Sequence, residues 1–331
     1  MGWEGRPLRF RPWKIGDVEI PNPTVLAPMS GVDSLPFRVL CRAYGVGLVT
    51  AEFISAAGLV HRSAQSLQML RFVEVERPIS IQIFGSDPDV MAEAAQIVEA
   101  SGADLIDINM GCPVKKVVKT GAGAALMCEP QRAEAIVQTM VKAVHRPVTV
   151  KLRKGWDAHS VNVVELAKRL EQAGAQAIAI HGRTREEGYT GEADWGVIAA
   201  VKQAVQVPVI GNGDVRTPQD AQRMFEQTRV DAVMVGRGAQ GTPWVFQRIV
   251  SMLQSGEVPP EPPISERIAC ALRHLQLMVE FRGESIGVRE MRKHLSWYLK
   301  GLPRAAEVRA QINAAESQAE MKRALHQLMA G

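Results

Sequence analysis

Cysteine is scarce and unpaired in this chain of 331 residues. Cys41, Cys112, Cys128 and Cys270 form no CxxC or CxxxC pair. That spacing offers no zinc or iron–sulfur site, and no metal is expected. Long apolar runs are missing too. None reaches the roughly 18 to 20 residues that span a bilayer, so no membrane association is expected. The start, Met-Gly-Trp-Glu-Gly-Arg, has no apolar leader, which points to the cytoplasm. Disulfides are not expected in that reducing compartment. Cys41 and Cys270 lie in helical patterns and Cys128 opens one, so these three read as packing.

Hydrophobic residues make up 46% of the chain, enough for one large domain and a smaller one. The net charge of +4 is unevenly placed. Residues 265–331 hold 11 Lys/Arg against 7 Asp/Glu, and the rest of the chain holds 28 of each. The surplus therefore belongs to the C-terminal segment, a hint of a polyanionic partner.

Short β-rich runs alternate with amphipathic helical stretches. Strands are predicted at 24–29, 48–53, 79–85, 105–110, 148–152, 177–181, 209–212 and 232–236. Helical patterns between them include 88–100, 131–144, 161–173 and 218–227. Ser34, Asp87-Pro88 and Thr217-Pro218 suit helix starts. Gly102-Ala103 and Gly174-Ala175 suit helix ends. Eight strand–helix units in one α/β chain predict a (β/α)8 TIM barrel. An open doubly wound sheet competes, but no GxGxxG follows the first strand.

Residues 254–264 are proline-rich and read as a linker. Helices are predicted beyond it at 266–281, 284–300, 304–314 and 318–329, an all-helical bundle domain over residues 265–331. The barrel then occupies residues 15–253, and residues 1–14 are an extension. On the helix 284–300, Val288, Met291, Leu295 and Tyr298 share an apolar stripe. Arg289, Arg292, Lys293 and Lys300 lie to one side of it. They form either a solvated face or a contact for RNA phosphates.

A barrel puts its chemistry at the C-terminal strand ends, where the polar residues should converge. The last two loops read Gly211-Asn212-Gly213-Asp214 and Gly236-Arg237-Gly238. Their glycines allow backbone N–H groups close to an anion, and Arg237 can neutralise it. Thr242-Pro243 then starts a helix whose N-terminus favours the same charge. His181 beside Arg183 adds a second basic pair. Lys151 could stabilise an anion on a cofactor ring, and Gln82 offers a donor and an acceptor to a ring edge. Both suit a reduced flavin. Cys112, on the bend Asn109-Met110-Gly111-Cys112-Pro113, could be a nucleophile or a proton donor. No neighbouring histidine activates it as a nucleophile, and a thiol acid needs none.

These motifs together resemble the tRNA-dihydrouridine synthases: Ala27-Pro28-Met29, Asn109 to Pro113, Lys151-Leu152-Arg153, His181-Gly182-Arg183-Thr184 and the two glycine loops. Residues 292–299, Arg-Lys-His-Leu-Ser-Trp-Tyr-Leu, resemble the helical domain of the bacterial B-type branch. The resemblance runs through residues 15–325 in order. It implies FMN at the barrel mouth, with Pro28, Met29 and Ser30 bordering the isoalloxazine. Gln82 and Lys151 would bind its polar edge, and Asn212, Gly213, Asp214, Gly236 and Arg237 its phosphate. His181 and Arg183 match positions near cofactor and substrate, and Asn109 a contact to uracil. NADPH, or NADH, would reduce the flavin. A uridine extruded from tRNA would take hydride from N5 at C6 and a proton from Cys112 at C5. The helical domain and the basic barrel rim would hold the tRNA by shape and phosphate, with the protein a monomer. The runner-up is an FMN barrel acting on a free small molecule, of the dihydroorotate dehydrogenase kind. A flavin-free RNA-binding protein on an inactive barrel is the reading from another class.

Overall fold

The computed structural model describes residues 12–329. A hairpin of β1 (Trp13–Ile15) and β2 (Val18–Ile20) comes first. Trp13 and Lys14 thus belong to ordered structure, and residues 1–11 of the expected extension lie outside the described residues. Ile15 and Ile20 of the hairpin pack with Leu48, Leu105 and Ala232, which begin barrel strands. The hairpin therefore closes the barrel's N-terminal end.

Eight parallel strands follow and close on themselves: β3 (Thr24–Leu26), β4 (Leu48–Ser55), β5 (Ile79–Phe84), β6 (Leu105–Met110), β7 (Val148–Arg153), β8 (Ile178–His181), β9 (Val209–Asn212) and β10 (Ala232–Val235). β10 pairs with both β9 and β3, which shuts the barrel. β3 stops at Leu26, three residues short of the predicted end. Pro28 has no N–H for a ladder, and the Met29 N–H goes to the Asp33 carboxylate at 3.1 Å. The other strand ends lie within two residues of expectation.

The outer layer holds α1 (Leu35–Ala43), α2 (Ala56–Val60), α3 (Ala64–Met69), α4 (Pro88–Ala100), α5 (Lys115–Val118), α6 (Pro130–Ala143), α7 (Val163–Gln172), α8 (Trp195–Ala204), α9 (Pro218–Thr228) and α10 (Val245–Ser255). Two of the three predicted caps form. Asp87 accepts from the N–H groups of Asp89 and Val90, and Thr217 and Asp220 make a reciprocal capping box. Ser34 sits at the N-cap of α1, but its hydroxyl makes no capping bond. Gly102 and Gly174 follow α4 and α7 at φ +87° and +106°, where a side chain would be strained. Cys128 ends a 3-10 turn, Gly123–Cys128, and does not open a helix. It is exposed, so packing does not describe it, whereas Cys41 and Cys270 are buried as expected.

The proline-rich stretch is shorter than predicted. α10 runs on through Ser255, and the next helix already begins at Ile264. The C-terminal helices are α11 (Ile264–Arg282), α12 (Glu284–Tyr298), α13 (Ala305–Ala314) and α14 (Gln318–His326). Val288, Met291, Leu295 and Tyr298 of α12 are buried in a second core with Ile268, Leu275 and Ile312. Trp244, from the barrel loop before α10, enters this second core. At the same seam Phe37 of α1 stacks on His274 of α11 at 5.6 Å and lies 6.0 Å from His294 of α12. The two histidine rings are 4.6 Å apart. Gly241 also belongs here. A Cβ there would lie 2.5 Å from the backbone of Trp297, so only glycine permits this approach.

Candidate active site at the barrel mouth

Parallel register brings the polar strand ends side by side. Asn109 pairs with Lys151, Arg153 with His181, and His181 with Asn212. They open on a cavity of about 920 Å³, in the size range of cofactor sites. Of the predicted barrel residues, Pro28, Met29, Ser30, Asn109, Cys112, Lys151, His181, Asn212, Gly213, Asp214, Gly236 and Arg237 line it. Gln82 and Arg183 do not.

Gln82 lies beneath the floor, fully buried. Its amide N–H donates to Asp107 at 2.6 Å, and its carbonyl accepts from the Asn109 amide at 2.8 Å. Asp107 also accepts from Thr149 at 2.5 Å. Burial raises the Asp107 pKa, and its two donors work against that. Gln82 does not line the cavity, and these two bonds point it at Asp107 and Asn109. It fixes Asn109 instead.

Asn109 in turn fixes the thiol. Its carbonyl accepts from the backbone N–H of Cys112 at 2.9 Å and of Gly111 at 3.2 Å. An asparagine two or three residues ahead of a bend is a natural backbone mimic. Cys112 is 8% exposed, at the cavity wall. Burial pushes its pKa above the ordinary thiol value, and Arg153 and Lys151 only partly offset this. At neutral pH the thiol keeps its proton. A thiol held this way suits a proton donor better than a thiolate nucleophile.

Lys151 donates to the Asn212 side chain at 3.1 Å. Burial first, and then the neighbouring Arg153, pull its pKa down to about 8. An anion placed beside it would restore the charge. Asn212 donates onward to the Met234 carbonyl at 2.9 Å, which fixes its orientation.

The last loops, expected to cradle an anion, bend tightly beside the cavity. Gly213 has φ +125°, and a Cβ there would lie 2.6 Å from that of Ala193. Asp214 is also left-handed, at φ +57°. Its carboxylate accepts from Arg183 at 2.7 Å and from the Ala193 N–H at 2.7 Å. Burial would raise the Asp214 pKa, but these donors and Arg237 outweigh it, so the group is ionised. A carboxylate repels phosphate. It also lies 3.5 Å from the Arg237 guanidinium, which it can hold in place. The predicted anion-facing helix starts later than Thr242. A 3-10 turn, Arg237–Ala239, comes first, and α10 begins at Val245.

Two basic residues need correction. Arg183 is 1% exposed and lies behind the wall. It donates to the carbonyls of Thr190 (2.9 Å) and Gly191 (2.5 Å) as well as to Asp214. In this structure it anchors a loop rather than lining the cavity. His181 lines the cavity but is not cationic. Burial, then Lys151, Arg153, Arg183 and Arg237, push its pKa far below the ordinary value. Arg183 lies 3.3 Å from its Nε2 and can only donate, so Nε2 accepts and Nδ1 carries the proton.

The α12 cations are split. Arg292 donates to the Ala315 carbonyl at 2.9 Å, inside the helical unit. Lys293 reaches across the seam to the Gly31 carbonyl, on the turn that lines the cavity after β3. The N–H of Gly31 is held by Glu52 at 2.6 Å. Arg289 and Lys300 are exposed. All four stand on α12 or just past its end, but none lines the cavity.

Two features of the site carried no sequence signal. Tyr189, 59% exposed, lies over the guanidinium groups of Arg237 (4.7 Å) and Arg153 (5.5 Å) at the cavity mouth. It stands in a loop, Gly188-Tyr189-Thr190-Gly191, whose pattern shows only a turn. Phe53 and Phe84 meet edge to face at 5.2 Å and line the opposite wall. Each sits in an ordinary strand run.

Comparison with known proteins agrees with this geometry. Residues 25–330 match the family model described as dihydrouridine synthase. The tRNA-dihydrouridine synthase B of Pseudomonas aeruginosa is 48% identical over 91% of this chain and 90% of its own. That of Vibrio vulnificus is 46% identical over 92% and 94%. A probable tRNA-dihydrouridine synthase of Rickettsia bellii is 45% identical over 91% and 92%. Two solved structures share the fold alone, at 14% identity. Histamine dehydrogenase from Rhizobium sp. 4-9 aligns with a TM-score of 0.60 over 82% of this chain and 51% of its own. Morphinone reductase aligns with 0.53 over 79% and 94%.

Proposed function

The chain belongs to the dihydrouridine synthase family, and on that premise we propose that it reduces the C5=C6 bond of a uridine in tRNA, using FMN held at the barrel mouth. One observation carries the reading. A protonated, buried thiol shares a single cavity with an anion cradle and a lysine whose charge is held near its tipping point.

The donor set fits FMN. Arg237 with the bends at Gly213 and Gly236 suits a phosphate, and Lys151 suits the negative edge of a reduced flavin. Pro28, Met29 and Ser30 supply the wall of the same cavity. A flavin bound there would supply the hydride for C6 of the uracil. Cys112 gives its proton to C5 from the other side of the base. Asn109 keeps one amide hydrogen for the uracil edge while it orients the Cys112 backbone. Asn212 and His181, the latter neutral with its proton on Nδ1, offer hydrogen bonds without adding charge. Gln82 and Arg183 act one step removed, by fixing Asn109 and Asp214.

The helical unit and the basic rim take the folded tRNA by its shape and phosphates. The reductant is NADPH or NADH, the protein acts as a monomer, and its place is the cytoplasm. No helix among the described residues is long and apolar enough to cross a membrane. The relatives named for the same activity support it through their high identity over nearly the whole chain.

The test is reoxidation. The yellow protein, reduced anaerobically, should be reoxidised by tRNA and not by free uracil or orotate. Reoxidation by orotate alone would favour a small-molecule enzyme, and colourless protein would remove the flavin.

A further inference from the structure

Most cations near the cavity mouth are already committed inside the protein. Arg153 donates to the carbonyls of Gly111 (2.9 Å), Thr184 (2.7 Å) and Gly188 (2.8 Å). Lys154 pairs with Glu187 at 3.1 Å. Arg183, Arg292 and Lys293 are held as described above. A cation that is neutralised or fully bonded inside the fold has little to give an outside polyanion.

Lys115, Lys116 and Lys119 are different. All three are exposed, and none makes a side-chain hydrogen bond or ion pair among the described residues. They fall within five positions on the turn that leaves Cys112 and Pro113. Lys116 lines the cavity. Val114, beside them, is 53% exposed and adds an apolar face at the same rim.

This turn is fastened to the thiol at both ends. Val117 is buried in a small cluster with Cys112 and Ala122. The Ala124 N–H donates to the Cys112 carbonyl at 3.1 Å. Gly123, at φ +61°, passes so close that a Cβ would lie 2.9 Å from that carbonyl. A charge held by these lysines is therefore held at a set place relative to the Cys112 sulfur.

Resting on the tRNA reading above, we propose that Lys115, Lys116 and Lys119 form the subsite that grips the phosphodiester backbone of the strand carrying the target uridine. Lysine ammonium groups are compact point charges with rotatable donors. They bind phosphate without reading sequence. Extruding a base strains the backbone on either side of it, and three cations next to the proton donor hold that backbone in place. The α12 face, with Arg292 and Lys293 engaged internally, contributes less than its charge count suggests.

The experiment is tRNA affinity against salt, on the full-length yellow protein. Each phosphate neutralised adds about 0.7 to 0.9 to the slope of log Kd against log salt. The variant Lys115→Ala/Lys116→Ala/Lys119→Ala should lose about 2 to 3 units of slope. Its affinity loss between about 50 and about 200 mM salt should be smaller by roughly 20- to 40-fold than that of the unaltered protein. Replacing all three by arginine should restore the slope, and each single alanine variant should remove about one third of it. Flavin absorbance reports that the barrel is intact. An unchanged slope in the triple alanine variant, with the unaltered protein binding tRNA, overturns this proposal alone. If the unaltered protein shows no tRNA binding, the tRNA reading falls and takes this proposal with it.

Discussion

The proton-donor role proposed for Cys112 rests on its surroundings. Burial keeps the proton on sulfur, and the two cations nearby are too weak to strip it. Cys112→Ala should retain the yellow colour and tRNA affinity while turnover falls by about 10²-fold or more, the usual worth of a placed general acid. Dihydrouridine content by mass spectrometry measures it, and unaltered product formation would remove the role. Lys151 gives a pH signature. A lysine carries charge below its pKa, here about 8 in the free protein. With the anionic edge of a reduced flavin beside it the charge persists to higher pH, so kcat/KM for reoxidation by tRNA should decline only above pH 8. Lys151→Arg, charged across the whole range, should remove that alkaline limb even if the rate itself is lower.

At the scale of elements, much was legible in the sequence. Strands such as 105–110 and 209–212 and helix 88–100 match to the residue, because apolar period, cap and terminal glycine agree there. Misses came where side chains leave the local pattern. β3 ends early because Asp33 takes the Met29 N–H. Gln82 and Arg183 carry the right chemistry, but it is spent on Asn109 and Asp214, and spacing along a strand cannot show how deep a residue sits. The α12 charges looked alike in sequence, yet the turns they face differ. Arg292 closes the α13–α14 corner through the Ala315 carbonyl. Arg292→Ala should lower stability by about 1 to 1.5 kcal/mol, within the ordinary net worth of a hydrogen bond because this one is only part-buried, read from chemical denaturation. Arg289→Ala, on an exposed position, should change it by less than about 0.5 kcal/mol. Equal losses would show that the Ala315 contact has no weight.

At the scale of the molecule, the barrel and the helical unit each have a large core, and the two meet at one seam. Trp244 of the barrel is a member of the second core, and Gly241 presses on the Trp297 backbone. Gly241→Leu should force these apart. The barrel and its colour should survive, while tRNA-dependent turnover drops because the rim and the helical unit no longer form one surface. Limited proteolysis within residues 256–263 should then speed up, and unchanged cleavage would mean that the seam tolerates the side chain.

The Phe37, His274 and His294 stack has a consequence for acid. Burial holds the His274 pKa down to about 3 and that of His294 well below its ordinary value. In an unfolded chain both would take up protons near pH 6.5. The unfolded state therefore binds more protons as pH falls below 6.5, and stability falls with it. For His274 alone this costs about 2 kcal/mol of stability by pH 5, and His294 acts in the same direction. Mild acidification should thus loosen the two halves of the protein from one another, like a hinge whose pin dissolves, while the strands of the barrel still hold.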